Sequence, residues 1–238
     1  MMSRVVVVPQ PPLLVPRLTV RASPEVAELR DACRRAVALL AEVSGEWLAL
    51  GTDSEITGEL PPTTRGTFAG FGVDVPVSFG PAAASCPEET LPLPALVGGW
   101  LREQAGANGM RMWLLDEAGT AERAREVGSE LAEAADTDRT ALLVLADGPR
   151  EFGAYGREGD PARATALLRA GLSGPDPHSL EQLGEPVATR SGVRGGAALR
   201  ALAGLLASDG GRWEAELLYS AAPFGVGYHV AVWSRSGR

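Results

Sequence analysis

The stretch TALLVLA at residues 140–146 decides the fold. After Thr140 every residue is apolar, with none of the alternation that marks a half-exposed strand. Such a run reads as a strand buried on both faces, which belongs in the middle of a parallel sheet covered by helices above and below. It stops at Asp147-Gly148-Pro149-Arg150, a set of turn-forming residues.

Working outward, VVVV at residues 5–8 reads as a second buried strand, halted by Pro9-Gln10-Pro11-Pro12, where proline removes ladder donors. Ser23-Pro24 supplies an N-cap with proline at the first helical position. Val26, Leu29, Cys33, Val37, Leu40 and Val43 then recur at three- and four-residue steps, predicting an amphipathic helix. Residues 47–51 form the next strand and open onto a polar loop with Asp53, Ser54 and Glu55. Val73, Val75, Val77 and Phe79 alternate as in a half-exposed strand, and a proline-rich loop over 81–94 leads to a helix over 96–105. A strand over 110–115 and a helix near 121–135 follow. Beyond the 140–146 strand come helices near 161–172, 179–183 and 195–207, then strands over 213–220 and 226–233. Alternating strands and helices imply an α/β fold: a mainly parallel or mixed central sheet with helices on both faces, the last two strands adding an antiparallel edge. No linker, repeat or low-complexity tract divides the 238 residues, so one domain over 1–238 is expected.

Composition excludes several chemistries. All 22 basic side chains are Arg, so no Schiff-base lysine, pyridoxal-phosphate anchor or phosphate-loop lysine exists. The net charge of −8, without any basic run, argues against nucleic acid as a partner. Cys33 and Cys86 form no C-x-x-C pair, which leaves a reducing compartment as the simpler reading and a disulfide between them open. Four valines after Arg4 are too few for a signal-peptide core, and no later run reaches membrane-spanning length; a cytoplasmic protein without a membrane partner is expected.

Ligands of open α/β sheets gather beyond the carboxyl ends of the strands. Polar groups stand at four such ends: Gln10; Asp53 with Ser54; Asp116; and Asp147 with Arg150. Each has a plainer reading as well. Asp53 and Asp147 brace turns as readily as they line a cleft, Asp116 before Glu117 reads as a solvated loop, and an amide at Gln10 can tie down a turn. Of the two histidines, His178 reads as a surface residue at a helix start, and His229, in the final strand, as packed or satisfied locally. Gly70-Phe71-Gly72 lacks the third glycine of a dinucleotide fingerprint, GVRGG at 192–196 lacks the lysine of a phosphate loop, and no G-x-S-x-G elbow occurs.

Three segments in this order, VVVVPQPPLLVP at 5–16, LADG at 145–148 and APFGVGYHVAVW at 222–233, carry a resemblance. The chain resembles an actinobacterial group of proteins similar to the catalytic subunits of class III extradiol ring-cleavage dioxygenases. The resemblance implies the family's α/β fold over nearly the whole chain. It also implies an iron site built from two His and one Glu, with a further His as acid–base. Where the family places its first His this sequence has Gln10; at the second it has Asp53 and Ser54. The acid–base position matches Pro149 or Arg150, and the Glu position falls at Val193, Arg194 and Gly195. None of these supplies the expected ligand. Amide and hydroxyl oxygens hold Fe(II) far less well than imidazole, and an arginine beside the metal opposes it. No metal or other cofactor is therefore expected. Three functions stay open: a small-molecule cleft lined from Gln10, Asp53, Ser54, Asp147, Arg150, Arg194 and His229; an interaction or structural subunit, including a homo-oligomer; or an active Fe(II) ring-cleavage dioxygenase using Asp53, Asp147 and His229.

Overall fold

The chain runs β1 (Met2–Val8), α1 (Pro24–Val43), β2 (Glu46–Asp53), β3 (Gly58–Leu60), β4 (Arg65–Thr67), β5 (Pro76–Ser78), α2 (Leu93–Gln104), β6 (Gly109–Asp116), α3 (Ala121–Ala134), β7 (Thr140–Leu145), α4 (Pro161–Ser173), α5 (Pro177–Gln182), α6 (Gly196–Asp209), β8 (Trp213–Ala221) and β9 (Tyr228–Arg235). A computed structural model describes residues 1–21, 23–135, 139–150, 160–183 and 190–236.

Seven strands make one sheet in the order β3-β6-β2-β7-β1-β9-β8, and TALLVLA lies at its centre. The four inner strands β6, β2, β7 and β1 are parallel. Antiparallel pairs close both ends: β3 on β6, and β9 then β8 beyond β1. β7 is central because Leu142 and Val144 turn to one face while Ala141, Leu143 and Leu145 turn to the other, all five fully buried. Each such Leu or Val stabilises the fold by about 1.5–3 kcal/mol.

α1 and α2 cover the face carrying Val6, Val8 and Leu143. Helices α3 to α6 cover the face carrying Val5, Val7 and Val144. On that side α3 and α6 touch backbone to backbone: a Cβ on Gly128 would collide with the Ala201 carbonyl, and one on Gly204 with the backbone of Arg125. Glycine there sets the interhelical distance. The connections from β1 through α1 to β2 and from β2 through α2 to β6 run across one face; that from β6 through α3 to β7 runs across the other. The carboxyl ends of β1, β2 and β6 around β7 thus border a change in winding direction, where such sheets open a crevice.

Several boundaries differ from the sequence expectation; β1, for one, begins at Met2 rather than Val5. The alternation over 73–79 yields only Pro76–Ser78, paired with β4 in a separate two-stranded sheet. The short helical turn Phe68–Phe71 and left-handed Gly72 precede it, so that the Phe68 amide donates to the Val75 carbonyl and the chain doubles back. α2 begins at Leu93 rather than near 96. The final strand begins at Tyr228, because Val226 pairs instead with Arg150 in an isolated bridge. Both cysteines are free thiols, Cys33 on the buried face of α1. Among the described residues no helix is long and apolar enough to cross a membrane.

Candidate functional site

A cleft of about 300 Å³ opens at the carboxyl ends of the parallel strands. Gln10 after β1, Thr52, Asp53 and Ser54 at the end of β2, Leu93 and Pro94 opening α2, Glu117 after β6 and Arg194 before α6 line it. Four of the seven cleft candidates from the sequence are thereby brought together: Gln10, Asp53, Ser54 and Arg194.

Gln10 lies in the floor and is only 4% exposed. Its backbone amide donates to Asp147 Oδ1 at 2.9 Å, which fixes the residue in place. Its side-chain Oε1 is buried with no hydrogen-bond partner. A buried acceptor left in that state costs about 1–3 kcal/mol, so it marks either strain or a missing donor.

Asp53 is half-buried and braces the turn it begins: Oδ1 accepts from the amides of Glu55 and Ile56, both at 2.9 Å. The turn-bracing reading is therefore correct for one carboxylate oxygen, and among the described residues Oδ2 takes no hydrogen bond. Ser54 is exposed at the rim.

Arg194 is exposed and lines the cleft as well. Its backbone pairs reciprocally with Asp147, the Asp147 amide to the Arg194 carbonyl at 2.9 Å and the Arg194 amide back at 3.2 Å. Among the described residues no hydrogen bond or ion pair engages its guanidinium; only the longer-range field of Asp147 reaches it.

Asp147 lies outside the cleft lining. Burial raises its carboxyl to about 6, against the Gln10 amide and the charges of Arg194 and Arg150, which lower it. The Arg150 amide donates to the Ser191 carbonyl, and its side-chain stem lies against Gly192. His229 is buried in β9, its Nδ1 3.0 Å from Ser220 Oγ. Its Nε2 has no partner and faces the Cα of Gly148. Burial, then the charge of Arg169, lowers its pKa to about 4, so it is neutral at pH 7. Asp147, Arg150 and His229 thus do not line the cleft. His178 is exposed, as expected, with its ring against Gln182.

Sequence reasoning missed Glu117. Read as part of a solvated loop, it reaches back to the cleft, where Oε2 accepts from the Thr52 hydroxyl and from the Gly195 amide at 2.9 Å, and Oε1 from the Gly196 amide at 3.0 Å. An anion at the start of a helix is what the aligned peptide dipoles favour. Gly195 is required at that point: its φ is +86°, and a Cβ would stand 2.6 Å from the Leu145 carbonyl oxygen. The glycine pair at 195–196 facing an acid just past a strand was the available signal.

The residues do not fit an iron centre. Asp53 commits one oxygen to its turn, Asp147 and His229 face different surroundings, and a positive Arg194 stands on the cleft wall. Among the described residues no three His, Cys, Asp or Glu side chains converge as metal ligands.

No family model matches the chain, and no curated protein matches it either. Among solved structures it is similar to the uncharacterized protein JW3007 from Escherichia coli K12, at 15% identity and a TM-score of 0.60. The match covers 98% of this chain and 99% of that one. At that identity the likeness establishes a shared α/β fold from end to end.

Proposed function

We propose that this chain is a divergent relative of the class III extradiol ring-cleavage dioxygenases whose strand-end cleft binds a small organic anion instead of iron. The mixed α/β sheet and the position of the cleft agree with that ancestry. One observation carries the ligand reading: Arg194, whose guanidinium is free of protein partners among the described residues, lines the strand-end cleft beside Gln10 and Asp53. Arginine's planar fork suits a carboxylate or phosphate. Replacing imidazole by amide, carboxylate and guanidinium turns a cation site into one for an organic partner.

Binding to the folded state raises the unfolding temperature, so a thermal-shift series tests the reading with small carboxylates and phosphorylated metabolites at up to about 10 mM. At least one should stabilise the native chain and leave Arg194→Ala unshifted. Equal stabilisation of both, or none with any anion, contradicts it.

A further inference from the structure

The charges in the cleft narrow the ligand, on the reading of it as an organic-anion site. Arg194 and Asp53 have opposite signs and line one cleft, yet they lie farther apart than ion-pairing distance. Asp53 keeps Oδ2 open. A carboxylate oxygen left open in this way suits a group rich in N–H and without lone pairs, which describes an ammonium.

The anionic end is limited in turn. The amino end of α6, one usual seat for a phosphate, is taken by Glu117, whose two oxygens hold the Gly195 and Gly196 amides, and at the amino end of α2 Pro94 removes one of the donors. With Asp53 and Glu117 against one Arg194, the lining is net negative. A phosphate dianion would meet two carboxylates and one cation, whereas a ligand carrying one charge of each sign adds no net charge. The space suits a compact molecule: at ~30 Å³ per water-sized group it holds on the order of ten non-hydrogen atoms. Its apolar lining is Leu93 and Pro94, an aliphatic surface without an aromatic ring.

We propose that the cleft binds a zwitterionic aliphatic amino acid, its carboxylate on Arg194 and its ammonium on the free oxygen of Asp53. Asp53→Asn tests the ammonium end with little harm to the fold, since the amide oxygen can still accept from Glu55 and Ile56.

Isothermal titration of the full chain with L-alanine, L-valine, their des-amino counterparts propionate and isovalerate, and inorganic phosphate separates the possibilities. An amino acid should bind about tenfold or more tightly than its counterpart, as one charge-assisted hydrogen bond is worth. That advantage should vanish in Asp53→Asn, while the des-amino acid binds no more weakly than before; Arg194→Ala should abolish both. If the des-amino acids bind as well as the amino acids, or phosphate binds best, the zwitterion is overturned and the organic-anion cleft stands. If none of the five probes binds, the zwitterion is overturned, and the wider thermal-shift series alone decides the cleft.

Discussion

Replacing Asp147 with Asn removes a buried charge while keeping an oxygen for the Gln10 amide. In the folded chain burial raises this carboxyl from an ordinary 3.8 to about 6, although Arg194 and Arg150 oppose the rise. A group ionised more readily unfolded than folded costs stability above its folded pKa. Here the cost is about 3 kcal/mol at pH 7 and above, and it disappears as pH falls through 6 toward 3.8. His229 has the opposite slope. Its pKa falls from 6.5 to about 4, so the folded state is penalised by about 3 kcal/mol once pH drops below 4 and freed of the penalty above 6.5. The two contributions offset, and between pH 4 and 6.5 the native chain should show little pH dependence from this pair. Asp147→Asn unmasks His229. At pH 8 the variant should exceed the native chain by about 3 kcal/mol, roughly 6–12 °C in Tm for a chain of this size. The advantage should vanish near pH 4. Urea unfolding followed by tryptophan fluorescence from pH 4 to 8 measures it. A variant no more stable than the native chain at pH 8 would show that the two arginines fully compensate the buried carboxylate, and the reasoning would be refuted.

Two substitutions test the supports of the cleft. Gly128→Ala drives a methyl into the Ala201 carbonyl and must push α3 from α6; it should cost about 1–3 kcal/mol despite alanine's better helix propensity, read as a lower urea midpoint at constant m. A neutral or stabilising outcome would mean that the helices separate freely. Glu117→Gln halves the acceptor capacity facing Gly195, Gly196 and Thr52 and takes a negative charge from near Arg200; a loss of about 1.5–3 kcal/mol is expected from the charge-assisted bonds. A change under about 0.5 kcal/mol would place Glu117 among ordinary surface acids.

The sheet's centre was legible because burial on two faces leaves an unbroken apolar run, and 140–146 has one. Its antiparallel edge was legible for a related reason, two late strands joined by a short turn. Strands of three residues, β3 and β4, carry too little pattern to be seen; their pairing is set by neighbours such as Leu114 and Ser78. In the cleft, Gln10, Asp53, Ser54 and Arg194 could be named because the carboxyl ends of parallel strands are a shared address. Glu117 could not, since Thr52 lies 65 residues before it and Gly195 78 residues after it. Nor could the sequence say that Asp147 and His229 fall outside the cleft lining, a matter of which way each residue faces once β7 and β9 flank β1.

A chain whose strand-end cleft holds an amide, a turn-bound carboxylate and an arginine should not retain a divalent cation there. Equilibrium dialysis of the anaerobic protein against ferrous iron, followed by metal analysis, tests this most directly. Near-zero retention at micromolar free iron is expected, unchanged in Asp53→Asn. One iron per chain, lost in that variant, would contradict the account.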